Sequence, residues 1–332
     1  MLKHPFSLLA LSAALLSQNA SALNIVLTND DSWSTANIQV MFDKLTAAGH
    51  NVIMSAPCTG QSGKGGAVSF LKAVTLDRSQ IDDQKACVGD TDTTKAFKDY
   101  VEGTPVMAAL YGIDVLAAEI WGKSPDLVIS GPNEGNNLGY LTNSSGTLGA
   151  ANIALARGIP AIAVSAETSD ATNAALVADA VIDVIAELET NRAANQPLLP
   201  LFTGLNINTP ADMANNKGFT FSQVGWNGGM DVFFNSDLSQ DSTAMGYVAN
   251  GILAAGYAST FAQAYAMAQA SYAGKAGVSV DMNSTRIPDQ DSRSEAVMLE
   301  EGYITISPMQ ASVQATQVKS ALVKQRLRNL KP

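Results

Sequence analysis

The sequence predicts an α/β protein of three layers, with a mostly parallel β-sheet held between two layers of helices. Three observations carry this expectation. Short apolar runs of strand length alternate with amphipathic segments of helix length from residue 23 to about residue 210, and such alternation marks strand-helix-strand units that build a parallel sheet. The apolar runs are continuous, as in Asn24-Ile25-Val26-Leu27-Thr28, which is what strands covered on both faces require. The chain of 332 residues is 46% hydrophobic and 15% charged, a balance that supplies a large core and excludes intrinsic disorder.

The elements follow in order. Met1 to Ala22 carries Lys3 and His4, an apolar stretch from Phe6 to Leu16, and Ala20-Ser21-Ala22; these are the three parts of a secretory signal. Residues 1–22 are therefore expected to be a signal peptide. The apolar core falls short of the ~20 residues that span a bilayer. The protein is then exported, periplasmic or secreted, and residues 23–332 form one domain. Asn24 to Thr28 reads as a strand, Ala36 to Ala47 as a helix stopped by Gly49, and Asn51 to Ser55 as a second strand. Gly103-Thr104-Pro105 opens a helix running to about Trp121, since proline at a first helical position loses no hydrogen bond. Asp126 to Ser130 is the next strand, Thr147 to Arg157 a helix, and Pro160 to Val164 a further strand. A helix over Asn173 to Glu189 and a strand over Leu201 to Asn206 complete the alternation. From Gly218 to Gly229, glycine, aromatics and β-formers suggest a β-hairpin excursion. Ala244 to Ala276 suggests helices broken at Gly246, Gly251 and Gly256, and Gly302 to Ile306 a strand. The basic tail ending Lys324 to Arg328 suggests a C-terminal helical extension with its cations in the last turn. Two stretches, 77–98 and 235–293, read as peripheral insertions.

Charge and rare residues narrow the function. The formal net charge of -10, which becomes -11 once Lys3 leaves with the signal, excludes a scaffold that neutralises nucleic-acid phosphates. Neither a nucleic-acid polymer nor a membrane is an expected partner. There are two histidines. His4 lies in the signal, and His50 precedes a strand and so reads as a surface turn residue at the sheet's amino edge. That placement disfavours a Ser-His-Asp triad, a histidine-ligated zinc site and a phosphohistidine mechanism. Cys58 and Cys87 either form one bridge under oxidising conditions or sit as small buried hydrophobes.

Ligands of parallel α/β sheets bind at the carboxyl ends of the strands. Four polar clusters fall there: Asn29-Asp30-Asp31, Gln61-Ser62-Gly63, Gly131 to Asn137, and Asn143 to Thr147. Adjacent Asp30 and Asp31 repel each other, and no basic residue lies between Thr28 and Asn37 to offset them. A hard divalent cation held by carboxylate, hydroxyl and amide oxygens is one compensator, with Mg²⁺, Mn²⁺ or Ca²⁺ as candidates; capping of the following helix is the other use of these aspartates. Ser145, Gly146 and Thr147 open a helix and form either a phosphate cradle or a plain serine cap. Gly60 to Lys64 is no P-loop, because Cys58 stands at the first glycine position and Gly65 at the metal-binding serine, although Lys64 remains a candidate phosphate contact. Asp90-Thr91-Asp92-Thr93-Thr94 matches a dehalogenase-type nucleophile signature, but Lys85 to Gly89 is a poor strand to precede it, and a solvated acidic loop is the plainer reading. The sequons at Asn143 and Asn283 read as chance matches.

The four clusters, in this order, resemble the SurE family of metal-dependent nucleotidases and phosphatases. The resemblance covers most of Asn24 to Pro210 and resumes at Ser294 to Pro308. It rests on Asn29-Asp30-Asp31-Ser32, Ala56-Pro57, Ser62-Gly63, Gly103-Thr104-Pro105, Ser130 to Gly139, Ser145-Gly146-Thr147, Leu205 to Pro210 and Gly302 to Pro308. It implies a Rossmann-like, SurE-like fold, and metal ligation by Asp30, Asp31, Ser62 and Asn133. Asp30 and Asn133 would act in catalysis, and Asn29, Asn137, Ser145, Gly146 and Thr147 would hold phosphate oxygens. It further implies hydrolysis of small phosphomonoesters such as nucleoside monophosphates, and self-association into dimers or tetramers through C-terminal exchange. Ser32, Met107, Ala108, Ile153 and Ser294-Glu295 depart from the family pattern. Those around Met107, Ile153 and Glu295 support the alternative, a non-catalytic exported protein that binds a divalent ion or nucleotide on the same frame.

Overall fold

The computed structural model describes residues 22–167, 170–282, 289 and 291–330; the predicted signal peptide up to residue 21 and the sequon at Asn283 lie outside them. In chain order the elements are β1 (Asn24–Thr28), α1 (Ala36–Ala47), β2 (Asn51–Pro57), β3 (Leu76–Gln80), β4 (Lys85–Val88), α2 (Pro105–Tyr111), α3 (Ala117–Trp121), β5 (Leu127–Glu134), α4 (Gly146–Ala156), β6 (Ala161–Ala166) and α5 (Ala171–Asn191). They continue as β7 (Thr203–Thr209), β8 (Phe219–Phe221), β9 (Asp231–Asn235), α6 (Ser242–Ala254), α7 (Phe261–Tyr272), β10 (Gly277–Asp281), α8 (Glu295–Glu300), β11 (Ile304–Gln310) and α9 (Gln317–Arg326). Among the described residues, no helix is long and apolar enough to cross a membrane.

A nine-stranded sheet in the order β3-β4-β2-β1-β5-β6-β7-β11-β8 forms the middle layer. The run from β4 to β7 is parallel; β3 is antiparallel to β4, and β11 is antiparallel to β7. Side-chain alternation along each strand divides two cores. Ile25, Leu27, Val52, Met54, Leu127, Ile129, Ile162 and Val164 pack on one face with Ile38, Met41, Leu45, Val177, Val181 and Ile185 of α1 and α5. Val26, Val128, Ala161 and Ala163 face the other way, against Leu148, Ala151, Ala154 and Leu155 of α4. Small residues on both sides of that second contact bring α4 close to the sheet. The helix from Pro105 to Trp121 starts as expected, with Thr104 Oγ1 accepting from the Met107 amide, and winds through a π segment at Gly112–Leu116 between α2 and α3.

Several sequence expectations change. The stretch 77–98 is not wholly irregular: β3 and β4 extend the sheet, because Ala86, Cys87 and Val88 are buried and β4 pairs with β2. No hairpin forms within 218–229. β8 instead joins β11 at the sheet edge, and the two-stranded antiparallel ribbon pairs β9 with β10 across the insertion 235–293. Gly246 and Gly251 lie inside α6, and the break comes at Gly256. His50 is buried, accepts a hydrogen bond from the Leu23 amide, and burial pushes its pKa down. Asp90 is no free nucleophile. Its carboxylate is engaged by Lys95, Thr75 and the Val101 amide, which lower its pKa to about 2.

Cys58 and Cys87 are bridged, joining the end of β2 to β4 across 29 residues. Replacing both by alanine should lower the unfolding free energy by about 3 to 4 kcal/mol through the chain entropy of the opened loop. Urea unfolding followed by circular dichroism measures this, and an unchanged midpoint would contradict it.

Candidate functional site

Strand order reverses around β1: the chain first fills the β2 side and then returns to β5 on the other side. The crevice beyond the carboxyl ends of β1 and β5 is the position where such sheets bind ligands. Asp30 and Asp31 follow β1 directly, and Asn133 sits near the end of β5. Gly131 makes this possible. Its φ of +120° and the approach of Val164 O, 2.1 Å from any added Cβ, exclude a side chain where β5 turns toward the crevice. The register of β5 against β6 shifts between Ser130 and Asn133 at the same turn.

Asp30 is 3% exposed. Its Oδ1 accepts from Thr147 Oγ1 at 2.7 Å. Burial raises its pKa, and the Thr147 hydroxyl and the Gly146 amide oppose that rise. Asp31 Oδ2 accepts from the Glu134 amide at 2.9 Å. Burial first, and the charge of Asp30 second, push Asp31 up to about 7. Among the described residues, none of the ion pairs includes Asp30 or Asp31. Lys64, a candidate phosphate contact in the sequence, pairs with Glu102 instead.

Asp30, Ser62, Asn133, Asn137 and Ser145 line one pocket of about 380 Å³. A larger hollow of about 690 Å³ adjoins it across Ser145, but no titratable side chain lines it. Chemistry therefore assigns the site to the smaller pocket. Three expected phosphate holders are not among its lining residues. Asn29 is buried with Nδ2 donating to Ser32 O and Thr35 Oγ1, so it braces the loop after β1. Gly146 lies against Asp30, whose Cβ is 2.7 Å from a Cβ built at that glycine, and Thr147 donates to Asp30. The amino end of α4 thus addresses a carboxylate of the chain itself, which satisfies the same dipole that a phosphate would. Ser145 both lines the pocket and caps α4, its Oγ accepting from the Leu148 amide at 3.2 Å.

Sequence reading missed the support behind this layer. Asn137 Nδ2 donates to Ser165 Oγ and Thr147 Oγ1, its amide donates to Asn208 Oδ1, and its carbonyl accepts from the side-chain amides of Asn206 and Asn208. Asn206 in turn donates to Glu295 Oε1 at 2.8 Å. Glu295 is fully buried and burial pushes its carboxyl up to about 7. The only sequence hint was a run of asparagines on an otherwise apolar strand, Asn206 and Asn208 in β7.

The donor set tests what the crevice accepts. Of the four expected metal ligands, Asp30, Ser62 and Asn133 line the pocket and Asp31 does not; the lining offers carboxylate, hydroxyl and amide oxygens and no histidine or cysteine. Such a set fits a hard divalent cation.

The family model described as "Survival protein SurE" matches residues 25–229. An acid phosphatase of Yarrowia lipolytica is 37% identical over 206 residues, covering 57% of this chain and 57% of that protein. A 5'-nucleotidase SurE of Thermosipho africanus is 33% identical over 57% of this chain and 66% of its own length. A Halobacterium salinarum 5'-nucleotidase SurE is 40% identical over 44% of this chain and 48% of its length. The matched region thus spans from about half to just under two thirds of these relatives. The crystal structure of the SurE protein of Aquifex aeolicus superposes with a TM-score of 0.64 at 22% identity, over 92% of this chain and 100% of that one, which establishes a shared fold.

Glu295 makes stability pH-dependent with a definite sign. Its folded pKa of about 7 exceeds its ordinary value of 4.5, so the folded state binds the proton more tightly and stability falls as pH rises between those values. Glu295→Gln should remove that loss, and its thermal stability should gain on the wild type progressively from pH 4.5 to 7; a difference independent of pH would refute the assignment. Gly146→Ala should destabilise by about 1–3 kcal/mol in urea unfolding, since the added methyl must displace Asp30 or Pro105.

Proposed function

The chain belongs to the SurE family, and on that premise we propose that it is a divalent-metal-dependent phosphomonoester hydrolase. The observation that carries the reading is buried Asp30 lining the switch crevice with Ser62 and Asn133, followed directly by half-buried Asp31, neither carboxylate having an ion-pair partner among the described residues. Asp30, Asp31, Ser62 and Asn133 would hold the cation, with Mg²⁺, Mn²⁺ and Ca²⁺ all suited to the oxygen set. When bound, the cation supplies Lewis acidity toward a phosphoryl oxygen and acidifies water.

The chain's own residues do the rest. The Thr147 hydroxyl and the Gly146 amide fix the Asp30 carboxylate, the group assigned to receive the proton of the attacking water. The Glu134 amide fixes Asp31. Asn133 Nδ2 donates to Gly135 O at 2.6 Å, which orients that side chain and directs its amide oxygen. Ser145 lines the pocket and its hydroxyl is the contact for a remaining phosphoryl oxygen, whereas Asn137, whose Nδ2 hydrogens are given to Ser165 and Thr147, braces the pocket wall. Nucleoside monophosphates and other small phosphomonoesters are the substrate class this reading takes from the relatives' names. Export through a leader ending near Ala22 and self-association belong to the same reading.

The test is hydrolysis of p-nitrophenyl phosphate and nucleoside monophosphates with Mg²⁺, Mn²⁺ or Ca²⁺, with EDTA as control. Phosphate release should require the cation. Asp31→Asn and Asn133→Ala should each lower kcat/KM by ~10²-fold or more, since even outer-shell partners of metal ligands cost ~10–100-fold. Full EDTA-sensitive activity in either variant would overturn the ligand assignment. Saturable metal binding without phosphate release would replace the hydrolase by a binding protein.

A further inference from the structure

The pocket is lined by two unlike sets of residues. Asp30, Ser62, Asn133, Asn137 and Ser145 come from the strand ends and the start of α4; Leu141, Met230, Val232 and Val280 come from the segment before α4 and from the β9–β10 ribbon, and form an apolar wall. Those four side chains carry no strong hydrogen-bond donor or acceptor. Val232 and Val280 are direct cross-strand partners in the β9–β10 ribbon, so they share one face of it. The next pair on that face is Phe234 opposite Val278, and these are 72% and 62% exposed. The apolar wall therefore continues out of the pocket onto the surface of the ribbon.

The wall is fixed against the polar residues. Tyr140 lies in the segment Gly139–Asn143, between the Asn133–Asn137 loop and α4. Its hydroxyl accepts from the Val232 amide at 3.0 Å and donates to Asp231 Oδ1 at 3.2 Å, and its amide donates to Trp226 O. One aromatic side chain thus holds the ribbon to the segment that follows Asn137, so the apolar wall and the polar residues are preorganised as a unit.

We propose that this wall is the subsite for the organic group of the phosphomonoester and that it selects apolar, aryl-type groups; the inference rests on the hydrolase reading above. A sugar- or glycerol-like group would lose its water hydrogen bonds there without replacement. A flat apolar group would exchange water for Met230, Val232 and Val280, and a longer one would reach Phe234 and Val278. A nucleobase meets the wall by its face, so little discrimination among bases follows. Glu134, exposed at the same pocket, opposes a second anionic group on the ester.

Two measurements on the full chain with Mn²⁺ decide this. The first is the ratio of kcat/KM for phenyl phosphate to that for glycerol phosphate. It should exceed one in the wild type and fall about 10-fold in Val232→Ser and Val280→Ser, the scale on which apolar pockets discriminate; an unchanged ratio overturns the subsite. The second needs no variant: calorimetric binding of phenylphosphonate against methylphosphonate, neither of which can turn over. Tighter binding of phenylphosphonate by about 10-fold or more is expected. Equal affinity for the two, or none for either, overturns the subsite. Preference for phenylphosphonate without turnover of any ester keeps the subsite and removes the hydrolase reading.

Discussion

Two neighbouring carboxylates at the end of β1 cannot both ionise cheaply inside a protein, and much of this structure answers that constraint. Burial raises both pKa values, and the charge of Asp30 raises that of Asp31 further. The chain's response is local: a threonine hydroxyl and a helix-terminal amide for Asp30, and a backbone amide for Asp31. None of these supplies a full positive charge, so the repulsion is reduced without being cancelled. On the proposed reading a divalent cation would complete the cancellation, and an acidic protein would thereby acquire a place that attracts an anionic phosphoryl group.

The geometry that delivers the two carboxylates to this point is mostly packing. α4 approaches the sheet closely because Ala151 and Ala154 meet Ala161 and Ala163, and its amino end therefore reaches Asp30. Glu295 and Asn206, brought from α8 and β7, hold the carbonyl of Asn137 from behind. Larger residues at these interfaces would shift the helix outward and leave Asp30 with fewer donors.

Much of this was legible in the sequence. Continuous apolar runs located β1, β2, β5, β6 and β7, and polar residues just after them located the crevice, because a parallel sheet dictates both. Three kinds of information were not legible. β4 is only four residues long and starts with a lysine, so it lacks the apolar run that marks its neighbours. The ribbon pairs residues more than forty positions apart, a separation at which local pattern says nothing about partners. Ser145, Gly146 and Thr147 were read correctly as a helix start, but whether a helix end faces a ligand or a side chain depends on what packing brings to it. Here packing brings Asp30.

The ribbon and the helices α6 and α7 leave the sheet after β8 and re-enter it at β11, and β8 and β11 lie side by side. The whole excursion is therefore a loop whose ends are already closed by main-chain pairing. Closure entropy grows only logarithmically with loop length, about 0.6 kcal/mol per doubling. Residues from β9 to β10, which leave out the bracing Glu295, are thus open to lengthening, shortening or recolouring by mutation at small cost to the sheet that holds the carboxylates. Met230, Val232 and Val280 of the apolar wall belong to this excursion, so chains that share the crevice are free to differ in what lies beside it.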